Sequence, residues 1–473
     1  MFLKENLLGS VNYMDRNINI VNGICVTDKN RFKGNIEIRD GRITNILANE
    51  EHVDSRFETI DAAGCFILPG MIDTHVHIRG GEFSYREDFY SGSEAAVSAG
   101  ITTILEMPGC AKPAYNEENF LKRVYEVKTE GAINFGLYGA AGFDNIDEIP
   151  KLANWGAIGF KTFQMAPVKG REKEFYGMCA ETYEDMVSIM EAVKKTGRTL
   201  TVHCESQDII DSLVPLMKEK YKEELKGFIL SRPEKAESES VMLTVKAAKV
   251  TGCRTIIAHV SCPESIEIIK VARAEGYEIY AEICAHYLYF DMDEMNDFGP
   301  FGRMKPPFRN REKVDKMVSI YSDDGFDVTG SDHAPYTIDE KKKNGNDVWN
   351  SVDGLYGLEM TLPLLLNLEA RGKISLENIA SSFSKKAADI FRLQGKGRIE
   401  KGYDGDLCIV RKLNEPFILK KEMLRCKCKD AAVIYDGIPL EYEIKTTIMG
   451  GTVVYDGCQV NLKKGEARIL YPY

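Results

Sequence analysis

Hydrophobic and polar positions follow two different rhythms along the chain. From about residue 17 to 62, short apolar runs (Ile18-Asn19-Ile20-Val21, Ile36-Glu37-Ile38, Ile43-Thr44-Asn45-Ile46) are separated by turn signals such as Asp40-Gly41. The same style returns from about residue 396, in Leu407-Cys408-Ile409-Val410, Ala432-Val433-Ile434-Tyr435 and Thr452-Val453-Val454-Tyr455. β character at both ends predicts that the two ends meet in one small sandwich. Between them, short apolar strands alternate with helical stretches of ten or more residues, the pattern of β-α units around a parallel sheet. Eight strands are expected: Phe66 to His77, Thr102 to Pro108, Asn134 to Ala141, Ala157 to Phe163, Thr199 to Glu205, Thr255 to Ser261, Glu278 to His286 and Phe326 to Pro335. Helices over Ser91 to Ala99 and Glu264 to Glu275 end at Gly100 and Gly276, as helix ends prefer. The expected fold class is α/β: a (β/α)8 TIM-like barrel over residues 63–392, with a β-sandwich built from 1–62 and 393–473. No G-x-G-x-x-G follows the first strand, which weighs against an open doubly wound sheet.

Composition narrows the picture. Of 473 residues, 44% are hydrophobic and 28% charged, enough apolar material for a sizeable core. A net charge of -11 argues against nucleic-acid binding. The longest basic run, Lys341-Lys342-Lys343, reads as an exposed loop. Residues 1–6 carry charge too early for a signal-peptide core, and no apolar run reaches the roughly 20 residues of a membrane span. The twelve cysteines form no C-x-x-C pair and mostly sit in apolar runs, so reduced thiols and a cytoplasmic location are expected. Cys426-Lys427-Cys428 reads as alternate strand positions rather than a metal pair.

Chemistry concentrates at strand ends, where a barrel places its active site. Of seven histidines, His75, His77, His203, His259, His286 and His333 end a proposed strand, and only His52 does not. His75 and His77 lie two apart, so both imidazoles face one side and can share a divalent cation. Lys161 interrupts an apolar strand; a buried ion pair or a lysine snorkelling to the mouth would also explain it. His203 and His259 end consecutive strands and could close a second site. Asp332 ends the last strand, beside the first in a closed barrel, where a carboxylate can hold metal and exchange protons with water.

At these residues the chain resembles the cyclic amidohydrolase branch of the amidohydrolase superfamily: allantoinases, dihydroorotases and dihydropyrimidinases (hydantoinases). The marks run from about Gly41 to Asp406. They include Leu68-Pro69-Gly70-Met71-Ile72-Asp73-Thr74-His75-Val76-His77, Gly159-Phe160-Lys161, His203-Cys204-Glu205, His259-Val260-Ser261, Glu282-Ile283-Cys284-Ala285-His286 and Ser331-Asp332-His333-Ala334-Pro335. The resemblance implies two divalent ions (zinc, or manganese, cobalt or iron) bridged by a carboxylated Lys161. It assigns one ion to His75, His77 and Asp332, and the other to His203 and His259. It further implies a bridging hydroxide, Asp332 as base and then acid, a small cyclic ureide or imide as substrate, and a homotetramer or homodimer.

The choice of ring draws on other positions. Arg79 matches the dihydroorotase residue that binds a substrate carboxylate, but Gly109 and Tyr336 replace its usual asparagine and histidine companions. A structural ion pair of Arg79 with Glu82 or Glu87 is the other reading. Ala166 stands where hydantoinases carry a tyrosine. The insertion from Ser206 to Phe228, with Ser231-Arg232-Pro233, Pro306-Pro307-Phe308-Arg309 and Lys396-Gly397-Arg398-Ile399, resembles allantoinases, although Arg303-Met304-Lys305 departs from their pattern. Hydrolysis of allantoin to allantoate is the first expectation. Dihydroorotase or hydantoinase activity is the alternative, and a non-catalytic scaffold the remote one. Arg79, Cys284, His286, Pro306 and Tyr336 are the expected substrate-binding residues. His286 reads equally as packing, His333 as turned away from the metals, and Trp349 and Tyr356 as pocket lining or packing.

Overall fold

The computed structural model describes residues 16–473 except Lys169 and Asn344, so residues 1–6 lie outside the described residues. The chain opens with β1 (Ile18–Val26), β2 (Arg31–Arg39), β3 (Arg42–Ala48), β4 (Glu58–Asp61) and β5 (Phe66–Pro69). Then follow β6 (Met71–Val76), β7 (Ile101–Glu106), β8 (Asn134–Leu137), β9 (Gly139–Ala140), β10 (Phe160–Phe163), β11 (Leu200–His203), β12 (Thr255–Ile257), β13 (Ile279–Ile283) and β14 (Val328–Thr329). It closes with β15 (Leu407–Ile418), β16 (Pro439–Met449), β17 (Thr452–Tyr455) and β18 (Arg468–Ile469).

Strands β6 to β14 pair in parallel and form the barrel. Tyr138 alone separates β8 from β9. Closure comes from a parallel bridge between Val76 and His333, with the His77 amide donating to the His333 carbonyl at 2.8 Å. Both faces of β6 and β7 are buried, as a parallel barrel strand requires. Ile72, Leu105, Tyr138, Ile158, Ile256 and Val328 meet below the site, with Phe391 and Leu393 packed among them. The interior is therefore a filled core with its mouth at the strand ends. Helices lie between the strands. The one over Phe89–Ser98 begins at Asp88, whose carboxylate accepts the Tyr90 and Ser91 amides, and stops before Gly100 at φ 78°.

Strands from both chain ends form a second sheet in the order β17-β16-β15-β5-β1-β2-β3, with β4 beside β1. It curls over its own core of Ile18, Ile20, Ile36, Ile67, Leu407 and Ile409. This is the expected sandwich, with three corrections. The single strand expected from Phe66 to His77 is two: β5 pairs with β15 (Leu68 opposite Cys408), and β6 enters the barrel. The break is Gly70, whose amide bonds the Asp406 carbonyl at 2.8 Å and where a Cβ would collide with Thr102. The sheet built from both chain ends therefore includes residues up to Pro69. Next, Val433–Tyr435 is a 3-10 turn, and Cys426 and Cys428 lie off any strand. That segment is apolar because Ile434 and Tyr435 pack on the barrel core, and irregular buried chain mimics a strand in pattern. Finally, β18 pairs with β8, so the chain after 393 returns to the barrel.

Two smaller expectations also change. His286 lies on a short helix, Ala285–Tyr289, beyond β13. Lys341 is buried, not exposed: its ammonium donates to the carbonyls of Gly354 (2.6 Å), Val352 (3.2 Å), Pro300 and Arg303 (both 3.3 Å). Among the described residues no helix is long and apolar enough to cross a membrane. All twelve cysteines are free thiols.

Candidate metal centre and substrate cavity

Six side chains from five strands or the residues just past them reach one cavity of about 110 Å³ at the barrel mouth: His75, His77, Lys161, His203, His259 and Asp332. His75 and His77 end β6, Lys161 lies on β10 and His203 ends β11. His259 and Asp332 sit just past β12 and β14, both with left-handed backbones (φ 36° and 46°). The four imidazoles run as a contiguous series. Ring centres of His77 and His75 are 5.4 Å apart, those of His75 and His259 5.4 Å, and those of His259 and His203 4.8 Å.

Their free nitrogens converge. Asp332 Oδ1 stands 3.4 Å from His75 Nε2 and 3.6 Å from His77 Nε2. His203 Nδ1 stands 3.0 Å from His259 Nε2, while His203 Nε2 is engaged by Glu205 at 3.0 Å. Glu205 is in turn gripped by Arg232 at 2.8 Å. Burial holds His77 neutral, pushed down to about 3, and lowers His203 and His259 as well. Neutral imidazole is the form that ligates metal. Burial opposes ionisation of Asp332, yet the neighbouring histidines, His75 foremost, hold its carboxyl well below the ordinary range. Burial brings the Lys161 amine down to about 8.

The donor set fits a pair of divalent cations. Lys161 Nζ, in the midst of these groups, is buried without a hydrogen-bond partner. An orphaned buried nitrogen of this kind is costly inside a protein unless something satisfies it. His75, His77 and Asp332 present ligand atoms within 4.8 Å of one another. The neighbouring Glu87, His333 and Cys426 have the same spacing but not the same chemistry. His333 Nδ1 accepts the Gly357 and Leu358 amides at 3.3 and 3.5 Å, so its hydrogen is on Nε2, facing Glu87 at 3.7 Å rather than offering a lone pair.

Of the expected substrate residues, Arg79 and Tyr336 line the cavity, and Cys284, His286 and Pro306 do not. Cys284 is fully buried, His286 stacks against Tyr287 and Phe308, and the Pro306 carbonyl accepts the Tyr287 hydroxyl at 2.6 Å. Trp349 packs on Phe228, and Tyr356 on His333. Arg79 pairs with neither Glu82 nor Glu87; among the described residues no carboxylate lies within ion-pair distance of it. Its guanidinium donates to the Gly109 carbonyl at 3.2 Å and the Tyr336 hydroxyl at 3.4 Å, leaving Nε unpartnered.

Sequence reasoning missed other lining residues. Arg171 bonds the Tyr336 hydroxyl at 3.0 Å and Glu174 at 2.8 Å. Lys305 pairs with Asp353 at 2.8 Å. The only signal was the Arg303-Met304-Lys305 departure from the allantoinase pattern. Phe163, Met165, Val168, Phe175 and Met178 form an apolar wall.

Comparison with known proteins agrees with this architecture. The amidohydrolase family model matches residues 66–454. An allantoinase of Desulfitobacterium hafniense (strain Y51) is 32% identical over 450 residues, covering 94% of this chain and 97% of that protein. An L-hydantoinase of Paenarthrobacter aurescens is 30% identical over 441 residues, covering 93% and 94%. The solved structure of an L-hydantoinase (dihydropyrimidinase) from Arthrobacter aurescens superposes with a TM-score of 0.91 at 29% identity, covering 96% of this chain and 99% of that one. The chain belongs to the amidohydrolase family and is an enzyme of its cyclic-amide branch.

Proposed function

We propose that this enzyme hydrolyses a ring amide of a cyclic ureide, and that its substrate is allantoin, opened to allantoate. The observation that carries the reading is the convergence of His75, His77, Lys161, His203, His259 and Asp332 on one small cavity. His75, His77 and Asp332 would hold one divalent ion, and His203 and His259 the other, with Lys161, as its carbamate, between them. Zinc suits the imidazoles; manganese, cobalt or iron would also fit. Two such ions polarise a carbonyl and provide hydroxide from water at neutral pH.

The chain's own groups do the rest. Asp332, held ionised by the histidines around it, takes a proton from the attacking water. It then delivers that proton to the ring nitrogen as the C–N bond breaks, so the leaving group departs as a neutral ureido NH2 rather than as its anion. The Tyr336 hydroxyl accepts from Arg171 and Arg79, which leaves its own hydrogen for a substrate oxygen. Arg79, Arg171, Glu174, Lys305 and Asp353 offer donors and acceptors to a ureido arm, whose N–H groups donate and whose carbonyl accepts.

The apolar wall of Phe163, Met165, Val168, Phe175 and Met178 favours a second reading, a hydantoin with an apolar substituent at the ring carbon. Turnover of allantoin, dihydroorotate, dihydrouracil and substituted hydantoins at neutral pH decides. Allantoin is expected to give the highest kcat/KM. Hydrolysis of another ring with none of allantoin overturns the substrate, and no hydrolysis of any ring by metal-replete enzyme overturns the activity. The free thiols support a reducing, cytoplasmic setting, and relatedness to the hydantoinases supports a homo-oligomer, tetramer or dimer.

A further inference from the structure

Glu282, at the end of β13, is a fully buried carboxylate that neither lines the cavity nor takes part in the steps above. Three groups converge on it. Its Oε1 stands 2.7 Å from His75 Nδ1 and accepts the His259 amide at 3.0 Å; its Oε2 accepts the Thr74 hydroxyl at 3.0 Å. One carboxylate therefore touches a side chain from the first half of the candidate metal centre and the backbone of the second.

We propose that Glu282 is a positioning residue for both halves of the metal centre: it fixes the tautomer and ring direction of His75, and it holds the backbone that aims His259. This inference rests on the reading that the six residues bind two cations. The His259 amide can only donate, so Oε1 is an acceptor, and the second group upon it, His75 Nδ1, carries its hydrogen. The His75 lone pair then lies on Nε2, the nitrogen that faces Asp332. A carboxylate behind a ligating imidazole also makes the ring more basic. At His259 the amide bond holds a left-handed φ of 36°, a conformation costly for a residue with a Cβ and kept only where surrounding contacts impose it. A Cβ at Gly330 would lie 3.2 Å from the carboxyl and 2.7 Å from His75 Cβ, so the absent side chain there is what admits both. In charge, Glu282 adds a negative group behind ligands that together face four positive charges.

Titration of metal-free protein with Co²⁺ alone, followed by calorimetry and by visible absorption, tests this. Wild type is expected to take two ions per chain. Glu282→Gln keeps the shape but loses the charge, and is expected to weaken Co²⁺ binding roughly 10–100-fold. The larger loss should fall on the ion held by His75, His77 and Asp332, with an altered absorption band. Thr74→Val removes the Oε2 contact, with a longer one to the Thr329 carbonyl at 3.3 Å, but leaves both Oε1 contacts, and should stay within roughly threefold of wild type. Should Glu282→Gln fail to fold, Glu282→Asp is read the same way, its shorter arm being unable to keep both Oε1 contacts. Unchanged affinity and spectrum in the folded variant overturn the proposal, as does an equal loss in Thr74→Val, which would mark a general packing effect. A wild-type chain that takes up no Co²⁺ overturns the two-cation reading itself and this inference with it.

Discussion

His203 Nδ1 and His259 Nε2 face each other at 3.0 Å across the barrel mouth, although 56 positions separate them in the chain. Both rings are held neutral by burial, and the far nitrogen of His259 has no partner. Two neutral imidazoles aimed at one point describe half of a cation site better than a hydrogen bond. Removing metal with a chelator is therefore expected to lower the melting temperature by several degrees, since a ligand at a hundred times its Kd stabilises by about 2.7 kcal/mol. Adding Zn²⁺ back should restore it. Differential scanning fluorimetry checks this, and an unchanged melting temperature would sink the idea.

Asp332 is expected to be dispensable for holding most of the metal and indispensable for turnover. Asp332→Asn retains an oxygen ligand but cannot carry a proton, so kcat should fall roughly 10²- to 10⁴-fold. Metal content by mass spectrometry should remain above half of wild type. Wild-type activity in this variant would refute the proton-transfer role.

Arg79 brings to the cavity a charge that makes no ion pair among the described residues. Its removal in Arg79→Met should raise KM roughly tenfold to a hundredfold, the scale of one lost charged hydrogen bond of about 1.5–3 kcal/mol. Steady-state kinetics on the preferred ring measures this. An unaltered KM would make Arg79 a support for Tyr336 alone.

Glu359, which does not line the cavity, predicts a pH effect on stability. Burial pushes its carboxyl up to about 7, although it accepts the Arg425 and Cys426 amides and the Ser98 hydroxyl. A folded-state value above the ordinary 4.5 means that the fold favours the protonated form. The associated stability is fully present below pH 4.5 and is lost as the pH rises through 7, a span on the order of 3 kcal/mol. Glu359→Gln is neutral at every pH, so its melting temperature should gain on that of wild type between pH 5 and 7. Parallel curves would contradict the shift.

Lys341 ties four carbonyls from the segments that carry Lys305 and Asp353. Lys341→Met should destabilise the fold by about 2–4 kcal/mol, because buried acceptors lose their donor. Urea denaturation measures it; a loss below about 0.5 kcal/mol would show that the carbonyls find other partners.

Local pattern alone specified much of this enzyme. Alternating strands and helices, with polar residues where apolar runs stop, placed His75, His77, His203, His259 and Asp332 at barrel strand ends and Lys161 within a barrel strand, because strand periodicity dictates which side chains reach the mouth. Other features depended on chain segments meeting in space. Glu282 touches His75 across 207 positions, and Arg171 reaches Tyr336 across 165. The apolar run at Val433–Tyr435 carried no mark separating a buried turn from a strand. Lys341, read as solvent-exposed from its basic neighbours, is buried because distant carbonyls surround it. Periodicity encodes which face of an element is apolar; partners across the fold are set only when loop ends are brought together, and no local pattern carries that distance.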